Sequence, residues 1–423
     1  MNKLDYDTIF VTAWCLCIVT LPFTIPLNSF FIIALTLVWV AEGDFTKKWQ
    51  RLKNASWAWP FLFFFALHVV GLLYSEHIDD GFFEVEKKLS FLAIPLIAAT
   101  GRPLTKSSFD FLKKGFTYAC LLIVIVSIIL TGFSLVNHTA GPLQNFDAQT
   151  NQQFHILNPN ASSLWEHFSY IELGDWIDIH PAYFSMYLIF CIIVLAQNMF
   201  DQMRIIFFEI IVIVVFTFFI VMLASRIAIV AYVIVSSYLA LYNFIKKGNP
   251  KAILITVMFL SILCALIWIN PVSRFRVIQE PLFTSFHIDQ KKMVWNSVSF
   301  RLLEWRASLS TVAKSPILGT GTGDGQAALH DYYSTYNTST TGLTYNAHNQ
   351  YLQTTIELGL VGLLLLLICI FRPAFNAVQY PPIHIAFIIL FGLMCITESV
   401  LARQKGIVFF TMFQSLFFRS TTS

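Results

Sequence analysis

Apolar runs long enough to cross a bilayer recur along the whole chain, separated by short polar segments. A crossing helix needs roughly 20 mostly apolar residues to span about 30 Å of hydrocarbon, and in lipid only helices and closed barrels satisfy their own backbone groups. Runs at 7–22, 25–41, 57–73, 86–100, 115–133, 181–198, 205–222, 227–245, 252–270, 350–371, 382–397 and 404–418 approach or meet that length. The fourth is the weakest, because Glu86, Lys87 and Lys88 crowd its start. The pattern predicts an all-α integral membrane protein of about 12 transmembrane helices, with a long outer loop containing short helices. From Ile205 to Ile245 the only charges are Glu209 and Arg226. That stretch is about twice one crossing and predicts a tight helical hairpin with Ser225-Arg226 at its turn, which places Arg226 at a membrane surface.

Composition agrees. Hydrophobic residues make up 57% of the 423 and charged residues 12%, with 42 Phe, which excludes a soluble globular domain. With the N-terminus inside, Lys3, Lys47, Lys48, Arg51, Lys53, Arg102, Lys106, Lys113, Lys114, Arg204, Lys246, Lys247, Lys251, Arg372 and Arg419 all fall in inner segments. The outer segment 134–180 has no Lys or Arg, so the positive-inside rule fixes this orientation. The net charge of +3 is then a topology signal and no evidence for a nucleic-acid partner. All seven cysteines fall inside the expected spans and read as small buried apolar residues. The first apolar run leads directly into a second, so the N-terminus reads as a first span and not as a cleaved signal.

Two outer segments are long enough to matter. The first, 134–180, is acidic, with Asp147, Glu166, Glu172, Asp175 and Asp178 among four histidines. The second, 271–347, carries an amphipathic helix over about 298–314, where Leu302, Trp305 and Leu309 recur at helical spacing beside Arg301 and Arg306. Such a helix suits the membrane surface. The run Ser315-Pro-Ile-Leu-Gly-Thr-Gly-Thr-Gly-Asp-Gly325 has no Lys-Ser/Thr after it and no strand before it, so it reads as a flexible turn and not as a phosphate loop. The three Asn-X-Ser/Thr triplets at 137, 160 and 337 are short enough to recur by chance.

Chemistry gathers on the outer side. His348-Asn349 stands at the mouth of the helix predicted over 350–371, and Gly359 and Gly362 follow. On a continuous helix these glycines lie about 20° and about 40° from the His348 direction, a stripe on which a neighbouring helix can approach closely. Arg226, Arg301 and Arg403 share the outer boundary with His348. Group transfer there has no nucleotide donor at hand and calls for a pre-activated, lipid-borne substrate. Arginines stabilise a pyrophosphate leaving group, and a histidine titrating near neutrality takes the proton of an attacking hydroxyl. Each residue has a plainer reading. An arginine at a helix end commonly snorkels to lipid phosphate, His180-Pro181 begins a helix, and Glu398 with Arg403 suits an ion pair across the last turn. The outer histidines show no close ligand spacing, so no metal and no cofactor is expected.

His348-Asn349, nine residues, Gly359, two residues and Gly362 resemble the signature of the O-antigen ligase and O-antigen polymerase superfamily. Ser225-Arg226 after an apolar span resembles that family's Ser-Arg, and Phe300-Arg-Leu-Leu-Glu-Trp-Arg306 followed by Ser315-Pro-Ile-Leu-Gly-Thr-Gly321 resembles its passage ahead of the histidine. The resemblance is specific over about 210–372 and divides the chain into N-terminal transmembrane helices, 1–200, and an O-antigen ligase-like catalytic region, 201–423. It implies a metal-independent, inverting glycosyltransferase of the bacterial inner membrane, working on the periplasmic side on an undecaprenyl-pyrophosphate-linked glycan. By that resemblance His348 is the activating base, and Arg226 and Arg301 bind the pyrophosphate. Asn349, Arg403, His180 and Glu398 are further candidates by position, with Gly359 and Gly362 serving helix packing. The long loop ahead of the histidine motif favours ligation to lipid A-core over chain polymerisation or protein glycosylation. A glycolipid transporter is the reading from another class, disfavoured because most charges lie at span edges and not at the midplane.

Overall fold

Each of the twelve apolar runs lies on a helix in a computed structural model of the chain, which describes residues 3–137, 165, 168–170, 173, 179–202, 206–282, 297–335 and 345–422. The long helices are α1 (Lys3–Thr20), α2 (Ile25–Ala41), α3 (Phe45–Asn54), α4 (Trp59–Gly71), α5 (Ile78–Thr100), α6 (Lys106–Asn137), α7 (Pro181–Gln202), α8 (Phe207–Leu223), α9 (Arg226–Lys247), α10 (Pro250–Ile269), α11 (Ser297–Lys314), α12 (Gly325–Thr335), α13 (Gln350–Phe371), α14 (Pro382–Thr397) and α15 (Gln404–Thr422). Five of them, α6, α7, α9, α10 and α13, are long and apolar enough to cross a membrane by themselves. The bent pair α2 and α3, turned by 111°, brings the number to six if it is one span, whereas α1, α4, α8 and α14 are apolar but short. The expected count of about 12 therefore exceeds what length and composition establish. Most of the acidic segment 134–180, with Asp147, Glu166, Glu172, Asp175 and Asp178, lies outside the described residues.

The helices form two compact units. The first comprises residues 1–115, 301–380 and 395–423. In it α5 packs on α4 and α15, and α13 packs on α4. Phe61, Phe64, Phe91 and Phe410 meet between these helices at centroid separations of 5.0 to 6.2 Å. Expected inner cations converge at one end of this unit. Lys48 and Arg102 reach Glu42 at 3.2 and 3.4 Å, and Arg51 donates to the Thr100 carbonyl at 2.8 Å. Arg419 donates to the carbonyls of Ala99 and Gly101, both at 3.2 Å. Cations are favoured there because the unpaired carbonyls at the end of α5 concentrate negative potential.

The second unit comprises residues 116–300 and 381–394. Its centre is α7, apolar on all sides and buried along nearly its whole length, as expected of a helix that other helices surround. Of the hairpin expected over 205–245, the described part, Phe207–Leu223 and Arg226–Lys247, is present with its turn where the sequence places it. Ala224 takes a left-handed φ of 49° to end α8, Ser225 is extended, and α9 begins at Arg226. Thr217 and Tyr232 close the hairpin by a 2.8 Å hydroxyl hydrogen bond.

Candidate functional site

The glycine run at 315–325 is not a loose turn. Its backbone is built into α13, which breaks at Gly359 with φ 63° and ψ −164°. A break of this kind frees the amides of Leu360 and Val361 and the carbonyls of Ile356 and Glu357 from the helical ladder, at a place where buried backbone must find partners. The run supplies them. Leu360 N donates to the Pro316 carbonyl at 2.9 Å and Val361 N to that of Ile317 at 3.5 Å, while Thr320 N and Gly321 N donate to Ile356 and Glu357 at 2.7 and 3.1 Å. A Cβ on Gly359 would sit 2.1 Å from the Ile317 carbonyl oxygen, and one on Gly319 2.6 Å from the Glu357 backbone. Both positions also need positive φ, so glycine is required there twice over.

Gly359 thus interrupts the helix, and the close approach at it is made by the backbone of the preceding loop. The angular stripe drawn on a continuous helix does not survive the break. At Gly362 a Cβ would meet the Leu358 side chain at 2.3 Å. The far end of the run is also fixed. Asp324 accepts from the amides of Glu76 and His77, both at 2.8 Å, and pairs with the His77 ring at 2.7 Å.

The same helix presents the histidine. Asn349 is the N-cap of α13, extended at φ −158° and accepting from Leu352 N at 3.0 Å, a contribution of about 1 kcal/mol. His348 precedes it with φ 40°, a left-handed conformation that costs on the order of 1–3 kcal/mol and persists only where the surroundings over-determine it. Here they do. His348 N donates to Asn346 Oδ1 at 3.0 Å, Ala347 N to Gln353 Oε1 at 3.0 Å, and the Trp305 indole to the His348 carbonyl at 3.5 Å.

The imidazole stands between two buried carboxylates. Its Nδ1 is 3.6 Å from Glu398 Oε2, and its Nε2 is 4.0 Å from Glu304 Oε1. The other oxygen of Glu398 receives the Arg301 guanidinium at 2.8 Å, and Arg301 Nε donates to the Thr397 carbonyl at 3.2 Å. His348 and Arg301 keep 28% and 26% of their side chains exposed, against 5% for each carboxylate, so the base and the cation are the accessible members. The segment bearing Glu398 is held from both sides at Leu401, whose amide donates to Gln350 Oε1 at 2.6 Å and whose carbonyl accepts from Lys88 at 2.9 Å.

Electrostatics follow from this geometry. Burial alone would depress the His348 imidazole, but Glu398, 3.6 Å from Nδ1, and the charge of Glu304 outweigh it and raise its pKa above the ordinary histidine value. Burial pushes Glu304 up to about 7, against the pull of His348 and Arg301 and with the repulsion of Glu398.

Arg226 belongs to the second unit and has a cluster of its own. Its guanidinium pairs with Glu280, donates to Ser297 Oγ at 2.9 Å and to the Arg276 carbonyl at 2.6 Å, while Ser297 Oγ donates to Glu280 Oε1 at 2.7 Å. Burial would raise the Glu280 carboxyl, but Arg226, Arg276 and Ser297 hold it below the usual range.

The sequence-derived residues therefore separate. His348, Arg301, Glu398 and Asn349 come together in the first unit, where Arg403 is an exposed residue following a short 3₁₀ turn. Glu398 has Arg301 as its close cation, where the sequence suggested Arg403. His180 starts α7, its carbonyl accepting from Tyr183 and Phe184 at 3.0 and 3.2 Å. Among the described residues no cluster of His, Cys, Asp or Glu has the arrangement to hold a metal ion; His138, His155, His167 and His287 lie outside them.

Sequence reasoning missed Glu304. The expected apolar stripe of α11 is its less buried side, with Leu309 59% exposed, whereas Leu303, Glu304, Ala307, Ser308 and Thr311 are buried. The signal lay in the small residues Ala307 and Ser308 flanking the turn after Glu304, which mark a face that other parts of the protein approach.

A polytopic helical membrane protein with a histidine and arginine site at a helix mouth is the class these features define. Residues 211–367 match the family model described as O-antigen ligase. Over that segment the chain is similar to the O-antigen ligase family, a likeness that supports glycan transfer of the ligase or polymerase type in general. The matched segment includes Arg226, Arg301, Glu304, His348, Gly359 and Gly362, and Glu398 lies beyond it. No curated protein is similar enough to the chain to count as a match.

Proposed function

We propose that the protein transfers a glycan from an undecaprenyl-pyrophosphate donor to an acceptor hydroxyl at the periplasmic face of the bacterial inner membrane, and that the acceptor is lipid A-core. The observation that carries this reading is His348, held in a left-handed conformation between two buried carboxylates with Arg301 on one of them. Nδ1 facing Glu398 sets the ring orientation, and Nε2 takes the acceptor proton, the arrangement a general base requires. The acceptor oxygen attacks the anomeric carbon from the side opposite the pyrophosphate, which inverts configuration and needs no metal. Arg301, about a quarter exposed, supplies permanent positive charge to the departing pyrophosphate. Chain polymerisation and protein glycosylation use the same chemistry and differ in the acceptor.

Purified protein and its His348→Ala variant, incubated with undecaprenyl-pyrophosphate glycan and lipid A-core without added metal, test the reading by gel and mass spectrometry. Glycan on lipid A-core with the wild type alone is the expected result. Lengthening of the lipid-linked glycan would make the protein a polymerase, and equal transfer by the variant would remove His348 from the mechanism.

A further inference from the structure

The site holds a buried carboxylate to which the transfer chemistry above gives no task. Glu304 stands one helical turn after Arg301 on α11, 4.0 Å from Nε2 of His348, and its Oε2 has no hydrogen-bond partner among the described residues. Among the described residues four groups face it: His348 ahead of α13, Arg301 on its own helix, Glu398 after α14, and Tyr333 on α12. Burying an ionised carboxylate is costly unless it is paired and hydrogen-bonded. Arg301 lies 2.8 Å from Glu398 and is thereby committed to that carboxylate. The cluster of two carboxylates, one guanidinium and one neutral imidazole is thus left with one negative charge in excess, and a single proton neutralises it. The 4.0 Å separation is ion-pair distance and exceeds hydrogen-bond reach, so the proton is not locked between the two groups.

We infer that Glu304 is a positioning residue for the base: in its ionised form it leaves the cluster one proton short of neutrality, so that the proton His348 takes from the acceptor restores it. In the step this serves, the acceptor O–H bond breaks and its proton passes to the imidazole. The electron pair left on oxygen forms the bond to the anomeric carbon. The bond from that carbon to the pyrophosphate breaks, its pair leaving with the lipid pyrophosphate. His348 and Glu304 titrate as a pair, and the form with His348 neutral and Glu304 ionised is the one that reacts.

This rests on the transfer reading for its purpose, while its test does not. Diethyl pyrocarbonate acylates neutral imidazole, and the extent of modification at His348, followed against pH by peptide mass spectrometry on the full-length protein in detergent, reads the imidazole directly. Glu304→Gln is expected to lower the midpoint at His348 by about one pH unit, because an opposite charge nearby favours the charged form, whereas Glu304→Asp keeps it above that of the Gln variant. The acidic limb of the transfer-rate profile moves with it, which a purely structural role would not cause. An unmoved midpoint in Glu304→Gln overturns the inference. Where that variant does not accumulate, Glu398→Gln decides: a His348 midpoint still above 6.5 supports Glu304 as the remaining partner, and one at or below 6.5 overturns it. A shifted midpoint with no transfer by any form of the protein overturns the functional reading alone, and transfer with an unmoved midpoint overturns this inference alone.

Discussion

Two arginine and glutamate pairs, one in each unit and each with a buried carboxylate, do different things with the same chemistry. Around Arg226 both carboxylate oxygens of Glu280 are engaged: the guanidinium is paired with one, the Ser297 hydroxyl donates to the other, Arg276 is nearby, and the carboxyl is held low. Around Arg301 the guanidinium satisfies Glu398, and a second carboxylate and an imidazole remain to settle one proton between them. The first arrangement fixes a helix start against the segment that follows α10. The second leaves a group able to change charge near neutrality, which a base needs and a strut does not. What separates the two clusters is the number of charges left over once the arginine is paired.

The widest separation is expected from removing the central group of each. His348→Ala should lower glycan transfer by about a hundredfold to ten-thousandfold, the range for a general base, while the protein accumulates and melts as the wild type does. Arg226→Ala should act in the opposite sense, leaving Glu280 buried without its cation, a loss of about 3–5 kcal/mol visible as poor accumulation and a lowered Tm in detergent. Adding Glu280→Gln to Arg226→Ala should recover part of that loss, because the uncompensated charge goes with it. A double variant no more stable than Arg226→Ala would show that the pair is not the source of the effect.

A smaller effect is expected where α13 is broken. Gly359→Ala forces a non-glycine residue to positive φ and drives its Cβ toward the Ile317 carbonyl, so a loss of about 1–3 kcal/mol is expected from the backbone alone. Since the break anchors the loop ahead of α12 and not His348 itself, melting should fall before transfer does. Transfer lost at an unchanged Tm would mean that the break positions the base more directly than the contacts reveal.

The helices were legible in the sequence because lipid leaves the backbone little choice, and length alone located the turn at Ser225-Arg226. The histidine at a helix mouth was legible too, since Asn349 is a good N-cap residue ahead of an apolar run. What the sequence could not display were partners distant along the chain. Arg301 meets Glu398 across 97 positions, and a local reading pairs Glu398 with Arg403 instead. Gly359 and the run at 315–325 each looked ordinary alone, a packing glycine and a loose turn, because the hydrogen bonds that define both run between them. Glu304 escaped because it stands among the residues of an amphipathic helix whose more exposed apolar stripe drew the eye.

The finest test of the comparison is the sign of pH dependence at the two carboxylates. Glu304 titrates near 7 when folded, against an ordinary value of 4.5. A folded value raised in this way gives stability that is full below 4.5 and is lost as pH rises through about 7. Glu304→Gln abolishes that loss, so its Tm relative to wild type should improve steadily from pH 5 to pH 8. Glu280 is shifted the other way. Its stabilisation is present above the ordinary value of 4.5 and is lost as pH falls through its lower folded value, so the cost of Glu280→Gln should be level from about pH 5.5 to pH 8 and shrink only below about 4.5. His348, raised like Glu304, reinforces the first trend from about 6.5 upward. Across this range the Glu304→Gln difference from wild type should therefore slope upward with pH while the Glu280→Gln difference stays level, falling away only below about 4.5. Parallel slopes would mean that the Glu304 carboxylate is as well satisfied as that of Glu280, and the distinction between strut and proton-holding site would fall with it.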